Sequence, residues 1–174
     1  NATIHAEETS MLPETATSTS HMTLSIANGS ITNGSFIETR YTCSGMQKSP
    51  DIRWNNIPNN TQSLAFILDD PDAPAGTFTH WIVYNIPPEI TNIPENAAIS
   101  QNNSQITIGI NTAKEKNYFP PCPPAHQIHH YRFSLYALDT AQLEDNLDRN
   151  EIDQILMKHT LERTEISALY GLYA

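Results

Sequence analysis

At 174 residues, with 39% hydrophobic residues and 12 prolines, the chain is sized for one domain with a real core. It favours turns and strands over long helices. Its formal charge of −10 argues against a nucleic-acid or anionic-membrane partner recruited by long-range attraction, and no apolar run reaches the length of a membrane span.

The opening, NATIHAEETSMLPETATSTS, is polar, Thr/Ser-rich and aperiodic. Residues 1–22 therefore read as a leader outside the core, with the folded domain at 23–174. The leader has neither a starting Met nor a signal-peptide core, which suggests a processed form or an expression product with Ser20-His21-Met22 as a cloning remnant. Location stays open, with periplasm or secretion slightly favoured over cytoplasm.

From Met22 onward the pattern is mostly β. TLSIANGSI and SFIETRYT flank Asn33-Gly34, a strong short turn signal. IRW follows, then SLAFILDD, whose unbroken apolar centre suits a strand covered on both faces; HWIVYNIP repeats that character. QITIGIN alternates, with Ile106, Ile108 and Ile110 on one face, as does YRFSL with Tyr131, Phe133 and Leu135. Between them NYFPPCPPAHQIHH holds four prolines around Cys122, which predicts a stiff polyproline-like loop. After Asp139 the period changes. Asp139 and Asn150 are candidate caps, and Ile152, Ile155, Leu156 and His159 share a helical stripe, so His159 is expected in the core. Strands first and short helices last predict a mainly β protein, an antiparallel sandwich with peripheral and C-terminal helices.

Two clusters carry candidate chemistry. DDPDAPAG, Asp69 to Gly76, packs three carboxylates and two prolines into eight residues. Pro71 and Pro74 fix two φ angles and hold Asp70 and Asp72 in a nearly constant relation, while Asp69 reads as incidental. A plain strand-closing turn explains the residue types. Two adjacent carboxylates repel, however, and a turn requires only one of them. His80 follows closely, and His126, His129 and His130 follow the proline loop. On a strand, His129 and Tyr131 share a face and His130 takes the other. Cys43 and Cys122 permit one disulfide, which sequence alone leaves open because it does not show their Cα separation.

YTCSG, SPDIRW, SLAFILDDPDAPAGTFTHWIVYNIP, PPCPP, HHYRFSLYALD and the ending ALYGLY together resemble the phosphatidylethanolamine-binding protein family, most closely its bacterial, Raf-kinase-inhibitor-like branch. The resemblance runs from Thr23 to Tyr173. It implies an antiparallel β-sandwich with C-terminal helices and a small surface pocket for phosphate-like or acetate-like anions. Asp70 and Asp72 would form the pocket floor, His80 and His129 would supply ring donors and Tyr131 a phenol. Ala73, Pro74, Cys122 and Pro123 would form the rim, with the Cys122 backbone N–H as an anion donor. It further implies a non-enzymatic protein without cofactor, whose partners are a phosphate-like anion or phospholipid head group, a protein target such as a kinase or protease, and a second copy in a homodimer.

The chain departs from the family pattern in the pocket loop. The usual Gly-Pro-Cys-Pro-Pro begins here with Pro121, Ala-His-Gln-Ile stands where glycines precede the histidine strand, and His130 stands where Arg is usual. Acids beside an anion are reconciled if both aspartates accept protons from His80 and His129 and raise their pKa values, so that affinity weakens as pH rises through the histidine range. Two other readings compete. A hydrolase lacks a G-x-S-x-G elbow and a helix N-terminus behind Cys122. A metal site of Asp70, Asp72, His80 and His129 would suit zinc or manganese but has no local ligand motif.

Overall fold

The computed structural model describes residues 22–97 and 105–172; the leader expected at 1–22 falls almost wholly outside them. Two antiparallel sheets face each other. The smaller has three strands in the order β1-β2-β5, from Ser25–Ile26 (β1), Ile52–Asn55 (β2) and Asn92–Ile93 (β5). The larger has five in the order β6-β4-β3-β7-β8, from Ser63–Asp70 (β3), Phe78–Ile86 (β4), Thr107–Ile108 (β6), Ile128–Leu138 (β7) and Thr160–Gly171 (β8). One helix, Arg149–His159 (α1), covers the outer face of the larger sheet.

All eight residues of β3 are buried, as its unbroken apolar run requires. The alternation of a strand sorts them onto two faces. Leu64, Phe66 and Leu68 join Trp81, Phe133, Ile52 and Trp54 between the sheets. Ala65 and Ile67 join Ile82, Tyr84, Ile152 and Leu156 beneath α1. The alternation then carries Asp70 toward the sandwich side and Asp69 toward the helix.

Several expectations need correction. Asn33-Gly34 forms the expected turn, with Ser35 N–H donating to the Thr32 carbonyl at 3.1 Å and Gly34 at φ 80°, but the segments on either side of it do not pair with each other. Residues 34–37 instead run along the outer edge of β8, with Gly34 donating to Ser167, Ile37 to Leu169 and Leu169 to Ser35, so their backbone groups are taken up by that strand. QITIGIN contributes only Thr107–Ile108 to the sheet; beyond them Gly109 passes so close to Ile82 and the Leu147 carbonyl that a Cβ would clash, and Ile110 donates to Leu147 instead of continuing along β4. The helix is capped by Asp148, whose side chain accepts from Glu151 N–H in a capping box, and not by Asp139 or Asn150. His159 is not in the core; its Nδ1 donates to Asp139 at the surface, 2.7 Å away. The last described element is a strand and not a helix, since β8 pairs along the whole of β7.

Candidate functional site

The turn DDPDAPAG joins β3 to β4, with Gly76 at φ 100° and its N–H donating to the Ala73 carbonyl. A left-handed φ of this kind suits glycine. Opposite the turn, β4 carries the feature that assembles the site. Leu68 pairs with Trp81, but the next residue, Asp69, pairs with Thr79. One residue of β3 therefore opposes two of β4, and His80 is the extra residue of a β-bulge. Strict alternation would send His80 beneath α1. The bulge turns it onto the face of Trp81 and Asp70 instead.

A cavity of about 310 Å³ opens there, lined by Asp70, Ala73, Pro74, Phe78, His80, Phe119, Cys122, Pro123, Pro124 and His129. Seven of the nine residues expected at the site line it. Tyr131 and Asp72 do not. Tyr131 lies fully buried against the rings of His80 and His129, with centroids 5.6 and 6.4 Å away. Its hydroxyl has no hydrogen-bond partner among the described residues, and burial, reinforced by the Asp70 charge, raises the phenol pKa so that the proton stays on.

The two aspartates play different parts. Asp70 is buried, and both its oxygens are engaged: Oδ1 accepts from the Asp72 N–H at 2.9 Å and Oδ2 from His129 Nδ1 at 2.7 Å. Asp72 faces outward, where its Oδ2 accepts from the backbone N–H and Nδ1 of His130 at 2.7 and 2.8 Å. Those two bonds hold the Asp72 pKa below the usual carboxylate range.

His80 departs from expectation. Its Nδ1 meets the Phe119 carbonyl at 2.7 Å, not an aspartate, and a carbonyl only accepts, so Nδ1 carries the hydrogen. Burial pushes the His80 pKa down, against the Phe119 bond and the charges of Asp70 and Asp69. The expected rise does not occur, because desolvation outweighs carboxylates that do not touch the ring. In the neutral ring Nε2 is then an acceptor.

The sign of the linked stability follows. Above about pH 6.5 the ring is neutral in both folded and unfolded chains. Below that value the unfolded chain takes up a proton that the folded ring resists, so stability declines as pH falls toward the folded pKa. Urea unfolding should show that decline on acidification, with a shallower slope in His80→Gln. Equal slopes would contradict it.

The rim is stiff. Cys122 is bonded to Cys43, with Cα atoms 5.4 Å apart. Cys43 N–H donates to the Pro121 carbonyl, and Tyr118 Oη to the Tyr41 carbonyl at 2.6 Å. No motif singles out Phe78 or Phe119, which pack with His80 as an apolar wall, ring centroids 4.7 to 5.9 Å apart. Phe78 was accessible to reasoning, as the cross-strand neighbour of Asp70; Phe119 was hidden in the proline loop. No group of three or more His, Cys, Asp or Glu among the described residues is arranged to hold a metal ion.

An antiparallel β-sandwich with an Asp/His cavity where a bulged strand meets a proline-rich loop is the class that fold and site define. The sequence model of the family Phosphatidylethanolamine-binding protein matches residues 27–171. A UPF0098 protein of Pyrococcus horikoshii is 41% identical over 143 residues, covering 79% of this chain and 72% of the relative. The crystal structure of a phosphatidylethanolamine-binding protein homologue, CT736 of Chlamydia trachomatis, superposes with TM-score 0.79 at 31% identity, covering 86% of this chain and 98% of that one. E. coli YbcL, described as a member of the mammalian family, gives 0.80 at 26%, covering 87% and 99%. The chain belongs to the phosphatidylethanolamine-binding protein family.

Proposed function

We propose that the cavity binds a small oxyanion, such as phosphate or the phosphate of a phosphoethanolamine head group, without turning it over. The observation that carries this reading is Asp70. Its two oxygens are consumed by His129 Nδ1–H and Asp72 N–H, so the acid orients a ring and does not confront the ligand as a bare charge. His129 Nε2, held by Gln127 Oε1 at 2.9 Å, is the ring donor a ligand would reach once that contact opens. Phe78 and Phe119 would take any apolar part of the ligand.

The runner-up readings have less support. Cys122 is in a disulfide and has no thiolate to offer as a nucleophile. The Asp70–His129 pair has the geometry of a general base, but no serine, threonine or free cysteine lines the cavity to be activated. Inhibition of a kinase or protease, and the homodimer, belong to the same proposal and follow from the family resemblance.

The test is titration of the protein with inorganic phosphate, acetate and phosphoethanolamine, followed by NMR. Saturable binding is expected, with no hydrolysis of ester or phosphate substrates. Tyr131→Phe should leave phosphate binding close to that of the parent, because the hydroxyl lies buried behind the His80 and His129 rings and does not line the cavity. The same variant should fold at least as stably as the parent, since it removes a buried hydroxyl that has no protein partner. A flat titration with all three ligands would sink the reading.

A further inference from the structure

Both nitrogens of the His129 ring are engaged by the protein itself. Nδ1 meets Asp70 Oδ2 at 2.7 Å, and Nε2 meets Gln127 Oε1 at 2.9 Å. A carboxylate only accepts, so Nδ1 carries a hydrogen. The second contact is then satisfied in one of two ways. A cationic ring donates Nε2–H to the amide oxygen, or a neutral ring accepts from the amide NH₂ once the amide is turned over. In both states the nitrogen that His129 has left for a ligand is occupied by Gln127.

The surroundings of Gln127 decide what can move. Its backbone N–H donates to the Pro124 carbonyl at 3.2 Å, and the neighbouring His126 N–H donates to Leu172 at 3.0 Å. His126 itself sits at φ 65°, so the turn is held in a conformation unusual for a non-glycine residue. The Gln127 side chain is exposed, and water can satisfy its amide as soon as it leaves the ring. The backbone is anchored while the side chain can leave. His129, by contrast, is buried and fixed by Asp70.

We propose that Gln127 is a resident competitor for the oxyanion: its amide holds His129 Nε2 in the empty protein and is displaced when the anion enters. This deepens the oxyanion reading of the cavity and rests on it. An oxyanion can win the exchange because hydrogen bonds to a charged acceptor are stronger than those to a neutral amide. Displacement still subtracts from affinity, so Gln127 raises the phosphate concentration needed to half-fill the cavity. The residue sits in the Ala-His-Gln-Ile segment that replaces the family's usual glycines, and a glycine has no side chain to reach the ring.

The test compares the parent protein with Gln127→Ala and Gln127→Glu. Inorganic phosphate is the first probe, and soluble phosphoethanolamine and phosphatidylethanolamine vesicles are separate arms that distinguish free phosphate from a lipid head group as its source. Gln127→Ala should bind phosphate about three- to tenfold tighter, the equivalent of one modest hydrogen bond released. Gln127→Glu places a charged competitor on the same ring and should bind more weakly than the parent. In the parent, the Gln127 side-chain amide resonance should shift along the same saturation curve as His129 Nε2. Unchanged or weaker phosphate binding by Gln127→Ala, with binding by the parent intact, would overturn the competitor alone. No saturable binding by any of the three proteins would overturn the oxyanion reading and the competitor with it.

Discussion

Reduction of the Cys43–Cys122 disulfide is expected to lower the stability of the fold by roughly 4 kcal/mol and to weaken phosphate binding in the same step. The first effect follows from loop length: the bridge joins residues 79 apart, and cross-linking a loop of that size removes about this much free energy from the unfolded ensemble in the chain-entropy account. The second follows from position. Cys122 lines the cavity, flanked by Pro120, Pro121, Pro123 and Pro124, whose rings fix the local backbone but do not fix where the segment sits. The disulfide and the Cys43 N–H bond to Pro121 tie that stiff segment to the loop after the short 3-10 turn at Thr39–Tyr41. Urea unfolding of the Cys43→Ser/Cys122→Ser variant, read beside a phosphate titration, checks both effects. A midpoint within error of the parent would refute the first, and unaltered affinity the second.

Replacement of Arg149 by Met should cost about 3 kcal/mol, because it strands a carboxylate inside the protein. Asp69 has only 5% of its side chain exposed, and Arg149 Nη1 meets both its oxygens at 2.6 Å. Thr79 Oγ1 donates to the same carboxylate at 2.8 Å, while Arg132 is only at its edge, 3.9 Å away. With Arg149 gone, one hydroxyl and one distant guanidinium remain for a full buried charge. The reverse substitution, Asp69→Ala, is expected to be milder, since Arg149 is 28% exposed and keeps Asp153 as a partner. The double variant Asp69→Leu/Arg149→Met should recover much of the loss, as apolar pairs often replace buried ion pairs without penalty. Urea denaturation of the three variants decides it; a loss below about 1 kcal/mol for Arg149→Met would show that the pair is dispensable.

The same ion pair shows where the sequence misleads. Asp69 reads as the incidental member of an acidic turn, yet it docks the helix through a partner 80 residues away. Nothing local to DDPDAPAG signals that partner. The central strands were legible because burial on both faces writes itself as an unbroken apolar run, and His129 with Tyr131 was legible because β7 keeps a clean period of two. The place of His80 in the cavity lining was expected, but the bulge that aims it was not, since one extra residue in β4 has no compositional mark. The last strand failed for a different reason. Thr160 to Glu165 has one apolar residue, Leu161, too little to mark a strand face, and only its pairing with β7 makes it a strand.

The neighbouring aspartates at the end of β3 also bear on how the chain folds. Each enters the interior only with a partner from far along the sequence, His129 at a separation of 59 residues for Asp70 and Arg149 at 80 for Asp69. A half-assembled sheet that buried β3 against β4 alone would desolvate two carboxylates with neither partner in place, which is strongly unfavourable. Early collapse around the most hydrophobic strand is thereby discouraged until β7 and α1 have arrived. The acidic doublet thus makes the folding of this end of the sheet more nearly all-or-none, with its slowest, longest-range contacts required and not optional.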